Sequence, residues 1–249
     1  CHASPAVAGR RVFFVNRTVV RCLDIETGAE LWRYELPAPS WCTPAVADGK
    51  VLVGADDGGL RCFEARTGRL LWQYTTGGPI RGAPTVVGRA VLFGSGDDRV
   101  HAVDVETGKR LWAFKARDDV SVSPAASGGV VLFSSTDRFV YALDLKTGGM
   151  LWKFDTGTTY LFGSPAIWGR VAYIPAGNRL LCLALMTGYI AWRFPAQGTI
   201  SSAPALSEGT VYFGAHDGRV YALDARSGRL KWSVNLGWPI LGGVAVTGR

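Results

Sequence analysis

The chain has 249 residues, of which 48% are hydrophobic and 11% aromatic, enough apolar material for a folded core, and this excludes a disordered protein. Its net charge of +7 comes from 27 lysines and arginines spread along the chain against 20 acidic residues. A nucleic-acid groove needs a concentrated basic stripe, and a membrane helix needs roughly 20 consecutive apolar residues. We therefore expect no nucleic-acid partner and no membrane span in this segment.

Short apolar runs separated by turns follow one another along the whole chain. In the segment from Thr43 to Ile80, runs beginning at Pro44, Lys50, Leu60 and Leu70 are separated by turns rich in Gly and Asp, which predicts an antiparallel meander. Four strands in a repeat of about 40 residues are typical of a β-propeller blade. We predict an all-β fold, a single β-propeller domain with six full four-stranded antiparallel blades, at approximately residues 3–36, 43–76, 83–116, 123–156, 164–195 and 203–236.

A tryptophan recurs every 40 residues, near the end of each predicted blade. Five residues before it stands Thr or Ser, followed by Gly; the six tryptophans are Trp32, Trp72, Trp112, Trp152, Trp192 and Trp232. Because the same residue recurs in every repeat, we interpret it as structural, packed on a neighbouring sheet with its N–H bonded. An Asp three residues before the Thr or Ser predicts hydrogen bonds to the turn that follows. Ala184 replaces that Asp in the fifth repeat, which predicts the loosest turn there.

Three of the five cysteines share one position of the repeat. Cys22, Cys62 and Cys182 stand where the other repeats have alanine, which predicts a small buried slot. Equivalent positions in neighbouring repeats lie beyond disulfide reach. Cysteine usage therefore assigns no redox compartment.

The recurring pattern Ala-x-Asp-x-x-Thr-Gly-x-x-x-Trp is complete at Ala102–Trp112 and Ala142–Trp152. It resembles the tryptophan-docking motif of pyrroloquinoline-quinone (PQQ) type β-propellers. That family includes quinoprotein alcohol and glucose dehydrogenases, the outer-membrane assembly lipoprotein BamB, and sensor domains of bacterial serine/threonine kinases. The resemblance implies a bacterial, extracytoplasmic protein in the periplasm or at the cell surface. It does not choose among these functions, which depend on the site.

The end of the chain repeats the pattern of a first strand, which predicts an extra strand at 243–249. Two arrangements account for it: the chain is part of a larger ring of seven or eight blades, or six blades close and the tail lies outside. An open propeller would expose strand edges. The resemblance, which implies a ring that commonly has eight blades, favours the first arrangement.

The dehydrogenases of the family imply PQQ and Ca²⁺ on the propeller axis, with a vicinal disulfide, a Trp floor, and Glu, Asn and Asp ligands. This chain has no Cys-Cys pair. Its candidate aspartates lie in turns between second and third strands, where Asp-Gly is ordinary hairpin chemistry; they are Asp56, Asp57, Asp97, Asp98, Asp137 and Asp217. We expect no catalytic residue, no metal site and no cofactor; PQQ with Ca²⁺ is expected only if the chain is a divergent quinoprotein dehydrogenase.

The repeats differ most just before each first strand. One position there is almost wholly apolar and is predicted to face the core, and the next has no shared chemistry. Since a strand alternates its faces, the second position should point away from the core, near the mouth of the axial channel. It holds His2, Trp41, Arg81, Ser121, Phe162, Ser201 and Leu241. Tyr160, Asp119 and His216 lie in the same set of connections and turns.

Two interpretations of these side chains remain open. In the first, the residues of this column vary because they lie at a solvated rim and have no shared function. In the second, Trp41, Arg81 and Phe162 bind an apolar, partly anionic ligand or peptide. The function hypothesis is a non-catalytic scaffold or sensor module that binds a protein partner or a small ligand at the channel mouth. The candidate binding residues are His2, Trp41, Arg81, Ser121, Phe162, Ser201, Tyr160, Asp119 and His216. The alternative is a divergent or degenerate quinoprotein dehydrogenase that binds PQQ on the axis.

Overall fold

A computed structural model of the chain describes residues 3–161 and 163–246. The backbone divides into two compact units, Cys1–Pro124 and Ala125–Arg249. The described residues form strands and turns but no helix, so none of them could cross a membrane as a helix. The predicted all-β fold with six four-stranded antiparallel sheets is confirmed. That the whole chain is one domain stays a prediction.

The first unit contains three sheets, which we name blades 1 to 3. In each, four strands pair antiparallel in chain order. Blade 1 consists of β1 (Ala6–Ala8), β2 (Arg11–Asn16), β3 (Val19–Asp24) and β4 (Glu30–Glu35). Blade 2 consists of β5 (Ala45–Ala47), β6 (Lys50–Gly54), β7 (Gly59–Glu64) and β8 (Leu70–Thr75). Blade 3 consists of β9 (Thr85–Val87), β10 (Ala90–Ser95), β11 (Arg99–Asp104) and β12 (Arg110–Lys115).

The second unit contains blades 4 to 6, with the same antiparallel order. Blade 4 consists of β13 (Ala125–Ser127), β14 (Val130–Ser134), β15 (Phe139–Asp144) and β16 (Met150–Asp155). Blade 5 consists of β17 (Ala166–Trp168), β18 (Val171–Ala176), β19 (Arg179–Ala184) and β20 (Ile190–Pro195). Blade 6 consists of β21 (Ala205–Ser207), β22 (Thr210–Gly214), β23 (Arg219–Asp224) and β24 (Leu230–Asn235).

The recurring tryptophan lies directly opposite the recurring Cys or Ala. Cys62 pairs with Trp72 and Ala142 with Trp152, and in both blades the register shifts immediately after the pair, as at a β-bulge. A small side chain leaves room for the indole that pairs with it across the two strands. Cys62 and Ala142 are both fully buried, which confirms the predicted small buried slot. Cys22, Cys62 and Cys182 are buried free thiols, and burial raises the pKa of Cys62 to about 12.

The turn before the tryptophan is held by its Asp, as predicted. In blade 1, Asp24 Oδ1 accepts the backbone N–H of Thr27 at 2.9 Å and the Thr27 hydroxyl at 3.0 Å. In blade 5 there is no carboxylate at Ala184, and the N–H of Thr187 reaches only the Ala184 carbonyl at 3.3 Å. The loss of the side-chain bonds is therefore observed, whereas the looseness of that turn stays a prediction.

Consecutive blades within each unit are joined by the tryptophan. Each indole Nε1 donates to a backbone carbonyl 33 residues later: Trp32 to Ala65 at 3.0 Å, Trp72 to Val105 at 3.0 Å, Trp152 to Leu185 at 2.9 Å, and Trp192 to Ala225 at 3.2 Å. A glycine of the next turn lies under the ring, and a Cβ at Gly68 would come within 2.6 Å of Trp32 Cδ2. These contacts confirm the structural role predicted for the indoles and their N–H groups.

The predicted extra strand falls partly outside the described residues. Residues 243–246 are not assigned as a strand, and 247–249 lie outside the described part of the chain. In all six blades the first strand pairs only with the second.

Candidate ligand-binding site

The connections into the first strands of blades 2 and 3 alternate between buried and outward side chains, as the sequence pattern predicted. In the first unit Ser40, Ile80 and Val120 are buried at 3%, 0% and 0% exposure. The residues that follow them, Trp41 and Arg81, are exposed, with Trp41 at 40%. Trp41 and Arg81 of the variable column therefore face away from the core; the place of the column at a channel mouth stays a prediction.

Asp56 joins two of the predicted site residues. Its Oδ2 accepts the indole N–H of Trp41 at 3.0 Å, and its Oδ1 accepts the Nε–H of Arg81 at 3.1 Å. The Arg81 side chain is 51% exposed and that of Asp56 25% exposed. We call Trp41, Asp56 and Arg81 the Asp56 cluster.

The backbone around the Asp56 cluster is fixed by hydrogen bonds between three connections. The N–H of Asp56 donates to the Pro39 carbonyl at 2.8 Å, and the N–H of Ile80 donates to the Ala55 carbonyl at 3.0 Å. The buried Ser40 hydroxyl donates to the Gly54 carbonyl at 2.6 Å. A ligand that binds to such a rigid site does not have to order the loops of the site, so less of the binding free energy is lost.

The guanidinium of Arg81 keeps its two terminal nitrogens available. Only Nε is hydrogen bonded to another described residue, so Nη1 and Nη2 have no hydrogen-bond partner among the described residues. The edge that they form matches the two oxygens of a carboxylate or phosphate. Beside it, the half-exposed indole of Trp41 offers an apolar face.

Other predicted residues form local contacts. In the first unit the Ser121 hydroxyl donates to Asp119 Oδ2 at 2.6 Å. In the second unit Ser201 Oγ and His216 Nε2 are 2.9 Å apart. This pair occupies in blade 6 the positions of Trp41 and Asp56 in blade 2. Tyr160 is 61% exposed. His2 and Phe162 lie outside the described residues.

Two other turn aspartates, Asp57 and Asp137, are engaged by donors on the third strand of their own blades. Asp57 Oδ2 accepts from Arg61 Nη2 at 2.6 Å, and this bond lowers the pKa of Asp57. Asp137 Oδ2 accepts the hydroxyl of Tyr141 at 2.6 Å. Within 3–161 and 163–246, no three His, Cys, Asp or Glu side chains cluster as metal ligands do. Since Ca²⁺ requires several converging oxygen ligands, these residues do not fit the ion that accompanies PQQ.

A buried polar chain that sequence reasoning missed joins blades 2 and 3. His101 is 4% exposed; its Nε2 lies 3.1 Å from Asp97 and its Nδ1 lies 3.2 Å from the Tyr74 hydroxyl. Its ring stacks on Phe93 with centroids 5.3 Å apart. Burial lowers the pKa of His101 despite the neighbouring carboxylate. The one signal in the sequence is that a histidine stands where the other repeats carry Arg, Tyr or Leu.

A groove of about 610 Å³ lies between blades 1 and 2, on the side of the turns that precede the tryptophans. Arg11, Lys50, Glu64 and Arg66 line it together with Phe13. Lys50 Nζ is bonded to Glu106 at 2.8 Å. Its lining therefore mixes both charges, and none of the predicted site residues belongs to it.

Comparison with known proteins supports the fold and gives two kinds of relative. Two curated proteins match one short segment: the dehydrogenase subunits of the quinone alcohol dehydrogenases of Gluconacetobacter polyoxogenes and Komagataeibacter europaeus. Each is 54% identical over 37 residues, which is 15% of this chain and 5% of the relative. The match thus spans a small part of those proteins.

Solved structures match nearly the whole chain. BamB from Moraxella catarrhalis has a TM-score of 0.79 at 20% identity, over 96% of this chain and 77% of that one. The computationally designed Ika8 protein has a TM-score of 0.86 at 21% identity, over 96% and 76%. A europium-containing methanol dehydrogenase has a TM-score of 0.63 at 14% identity, over 97% and 79%. At these identities the likeness establishes the fold alone.

A family model described as outer membrane protein assembly factor BamB matches residues 2–81, 76–178 and 136–246. These ranges together span almost the entire chain, and they agree with the docking motifs and the four-stranded blades. The chain therefore belongs to the BamB-like family of PQQ-type β-propellers.

Proposed function

We propose that this propeller is a non-catalytic binding scaffold and that the Asp56 cluster is its contact site for a protein segment. The observation that carries the proposal is the carboxylate of Asp56, which holds Trp41 and Arg81 at 3.0 and 3.1 Å. One anchor thereby fixes an apolar and a cationic side chain side by side.

Tryptophan and arginine are the residues that most often dominate binding energy at protein interfaces. Here both are exposed, and both have a side-chain hydrogen bond that limits their freedom in the unbound state. A ligand therefore loses less free energy in ordering them than it would with unrestrained side chains. The fitting partner is a peptide that carries a carboxylate next to an aliphatic or aromatic side chain.

The family supports a protein partner and an extracytoplasmic setting. The family model that matches this chain is described as outer membrane protein assembly factor BamB, and BamB from Moraxella catarrhalis has the same fold. We propose that the chain acts in the periplasm or at the cell surface, as part of an assembly or sensing protein. Fractionation of the source cells, followed by detection with antibody, tests that location.

Binding is tested with immobilised synthetic peptides that pair Leu or Phe with Asp, Glu or a free carboxyl terminus. A second array carries Lys and an amidated terminus instead. Trp41→Ala and Arg81→Ala should each weaken binding to the acidic array about thirtyfold, the loss typical of a hot-spot residue.

Arg89→Ala is the matched control. It removes the same charge from a more exposed arginine, 77% exposed and paired with Asp104 in another turn. The control should bind like the wild type. Equal binding to both arrays, or equal losses in all three variants, would overturn the site.

A divergent quinoprotein dehydrogenase is the second candidate, because one 37-residue segment is 54% identical to quinone alcohol dehydrogenases. PQQ would supply redox chemistry when bound, yet the turn aspartates Asp57 and Asp137 are engaged by their own strands. Titration with PQQ and Ca²⁺, followed by calorimetry and tryptophan fluorescence, separates the two candidates. Saturable binding at micromolar PQQ would favour the dehydrogenase.

A further inference from the structure

Blades 2 and 3 are joined by an ion pair on the side of the turns that precede the tryptophans. Lys50 Nζ, at the start of β6, lies 2.8 Å from Glu106 Oε1 in the turn of blade 3. Within blade 2, Lys50 pairs with Glu64, the acidic residue that opens the turn of that blade. Glu106 stands two residues after Asp104, which opens the turn of blade 3. The same two positions can therefore be located where blade 1 meets blade 2.

At the contact of blades 1 and 2, these two positions hold two arginines. Arg11, at the start of β2, pairs with Asp24 and so occupies the Lys50 position. Arg66 follows the acidic residue of the blade 2 turn by two residues and so occupies the Glu106 position. Both arginines line the groove of about 610 Å³ between the two blades. Two cations therefore stand where the next contact has a cation and an anion.

Arg11 has a buried nitrogen without a partner. Its side chain lies on the same face of β2 as Phe13, which packs in one apolar cluster with Val51 and Phe63 of blade 2. Arg11 Nε is shielded from solvent and has no hydrogen-bond acceptor among the described residues. No carboxylate in the described part of the chain lies within ion-pair distance of Arg11 or Arg66. Because burial of an unpaired cation is costly, an anion that enters this groove would be stabilised there.

The acidic side chains of the groove, Asp48 and Glu64, lie near other cations. Glu64 is 3.8 Å from Arg69 Nε. The hydrogen bond to Glu106 raises the pKa of Lys50, and the charge of Asp48 adds to that rise. The two unpaired arginines therefore keep their positive charges for a ligand.

We propose that this groove binds an organic phosphate monoester, with the phosphate held by Arg11 and Arg66. The apolar group of the ligand would lie against Phe13, Val46 and Leu71, which also line the groove. Guanidinium groups match phosphate oxygens in pairs, and two unpaired cations favour a divalent anion over a monovalent one. The groove volume of about 610 Å³ lies within the range of small-molecule sites, about 300 to 1,000 Å³.

This site is separate from the Asp56 cluster. Strand β6 begins at Lys50, which lines the groove, and ends at Gly54, next to the Asp56 cluster. The two sites therefore lie at opposite ends of the same strand and share no residue. Either proposal can fail without the other.

Binding is tested by calorimetry at low salt with phenyl phosphate, and with benzoate and inorganic phosphate as comparison ligands. Phenyl phosphate should bind saturably at millimolar concentration or below. Benzoate has one charge and inorganic phosphate has no apolar group, so each should bind about tenfold more weakly or worse.

Arg11→Gln and Arg66→Gln should each weaken phenyl phosphate binding about tenfold or more, because each removes charge-assisted hydrogen bonds. Arg10→Gln is the matched control. It removes the neighbouring arginine, which is already bonded to Glu26 at 2.7 Å and does not line the groove. The control should bind like the wild type.

Arg66→Glu is the decisive variant, because it recreates between blades 1 and 2 the charge pair of blades 2 and 3. Without ligand it should unfold at a higher temperature than the wild type, since Arg11 gains an internal partner. Phenyl phosphate should raise the unfolding temperature of the wild type and leave that of Arg66→Glu unchanged. A wild type that does not bind phenyl phosphate, equal binding of benzoate, an equal loss in Arg10→Gln, or an Arg66→Glu variant that still responds to the ligand would each overturn the proposal.

Discussion

Gly68→Ala should destabilise the fold far more than Gly28→Ala, although the two glycines occupy the same place in consecutive repeats. Both have left-handed backbone, with φ of 75° and 70°. They differ in what covers them: a Cβ at Gly68 would lie 2.6 Å from Trp32 Cδ2, and one at Gly28 would meet nothing within 4 Å. The pair therefore separates backbone strain from the tryptophan contact.

The magnitude follows from these two terms. A left-handed alanine costs roughly 1 to 2 kcal/mol in either variant. At Gly68 the methyl group must also displace an indole that is only 8% exposed and hydrogen bonded to Ala65. Overpacking of this kind costs about 1 to 3 kcal/mol. Gly68→Ala should thus lose about 1 to 3 kcal/mol more than Gly28→Ala.

The assay is urea unfolding at low micromolar concentration, followed by tryptophan fluorescence and circular dichroism. Both glycines lie in the first unit, so the same transition reports on both. Gly188→Ala repeats the experiment in the second unit, beneath Trp152. Equal free energies of unfolding for Gly28→Ala and Gly68→Ala would refute the docking contact as a source of stability.

Three further predictions concern stability. Ala184→Asp should add about 1 kcal/mol to the free energy of unfolding by restoring the missing turn acceptor; an unchanged thermal midpoint would show that the turn has no need of it. Trp32→Ala should cost about 3 to 5 kcal/mol and Trp232→Ala roughly 1 kcal/mol in dilute solution, because only the first indole is buried; equal losses in urea unfolding would contradict this. Burial lowers the pKa of His101 below its ordinary 6.5, so the unfolded chain takes the proton first and stability should fall as pH drops through 6.5. His101→Tyr, the residue found at this position in blades 4 and 6, should remove that slope in thermal unfolding, and a slope that survives would place its origin elsewhere.

The regular part of the fold was predictable because one physical requirement recurs in every repeat. The indole of Trp72 needs a small neighbour across the bulge, so Cys62 and the alanines at the same position mark the pairing within the sequence itself. The Asp of the turn and the glycine beneath the ring are likewise local or strictly periodic. The residues that such features require recur at a fixed spacing, so the sequence alone reveals them.

The candidate site was predictable only in part. The alternation of Ser40 and Trp41 showed which side chains turn outward, but Asp56 was interpreted as an ordinary turn residue. Its hydrogen bonds to Trp41 and Arg81 join residues that lie 15 and 25 positions away in the sequence, in three connections that meet in space. These contacts do not recur from repeat to repeat, so the sequence pattern does not reveal them. The burial of His101 among Asp97 and Tyr74 was hidden for the same reason.

The binding proposal is tested most directly by Arg81→Lys with an acidic, apolar peptide selected from the array. Lysine keeps the positive charge, but its side chain has only one nitrogen. It therefore cannot donate a hydrogen bond to Asp56 and at the same time present two parallel N–H groups to a carboxylate. The account predicts that calorimetry will show at least a tenfold weaker affinity than the wild type, about 1.4 kcal/mol, with unchanged thermal stability. An affinity equal to that of the wild type would contradict it.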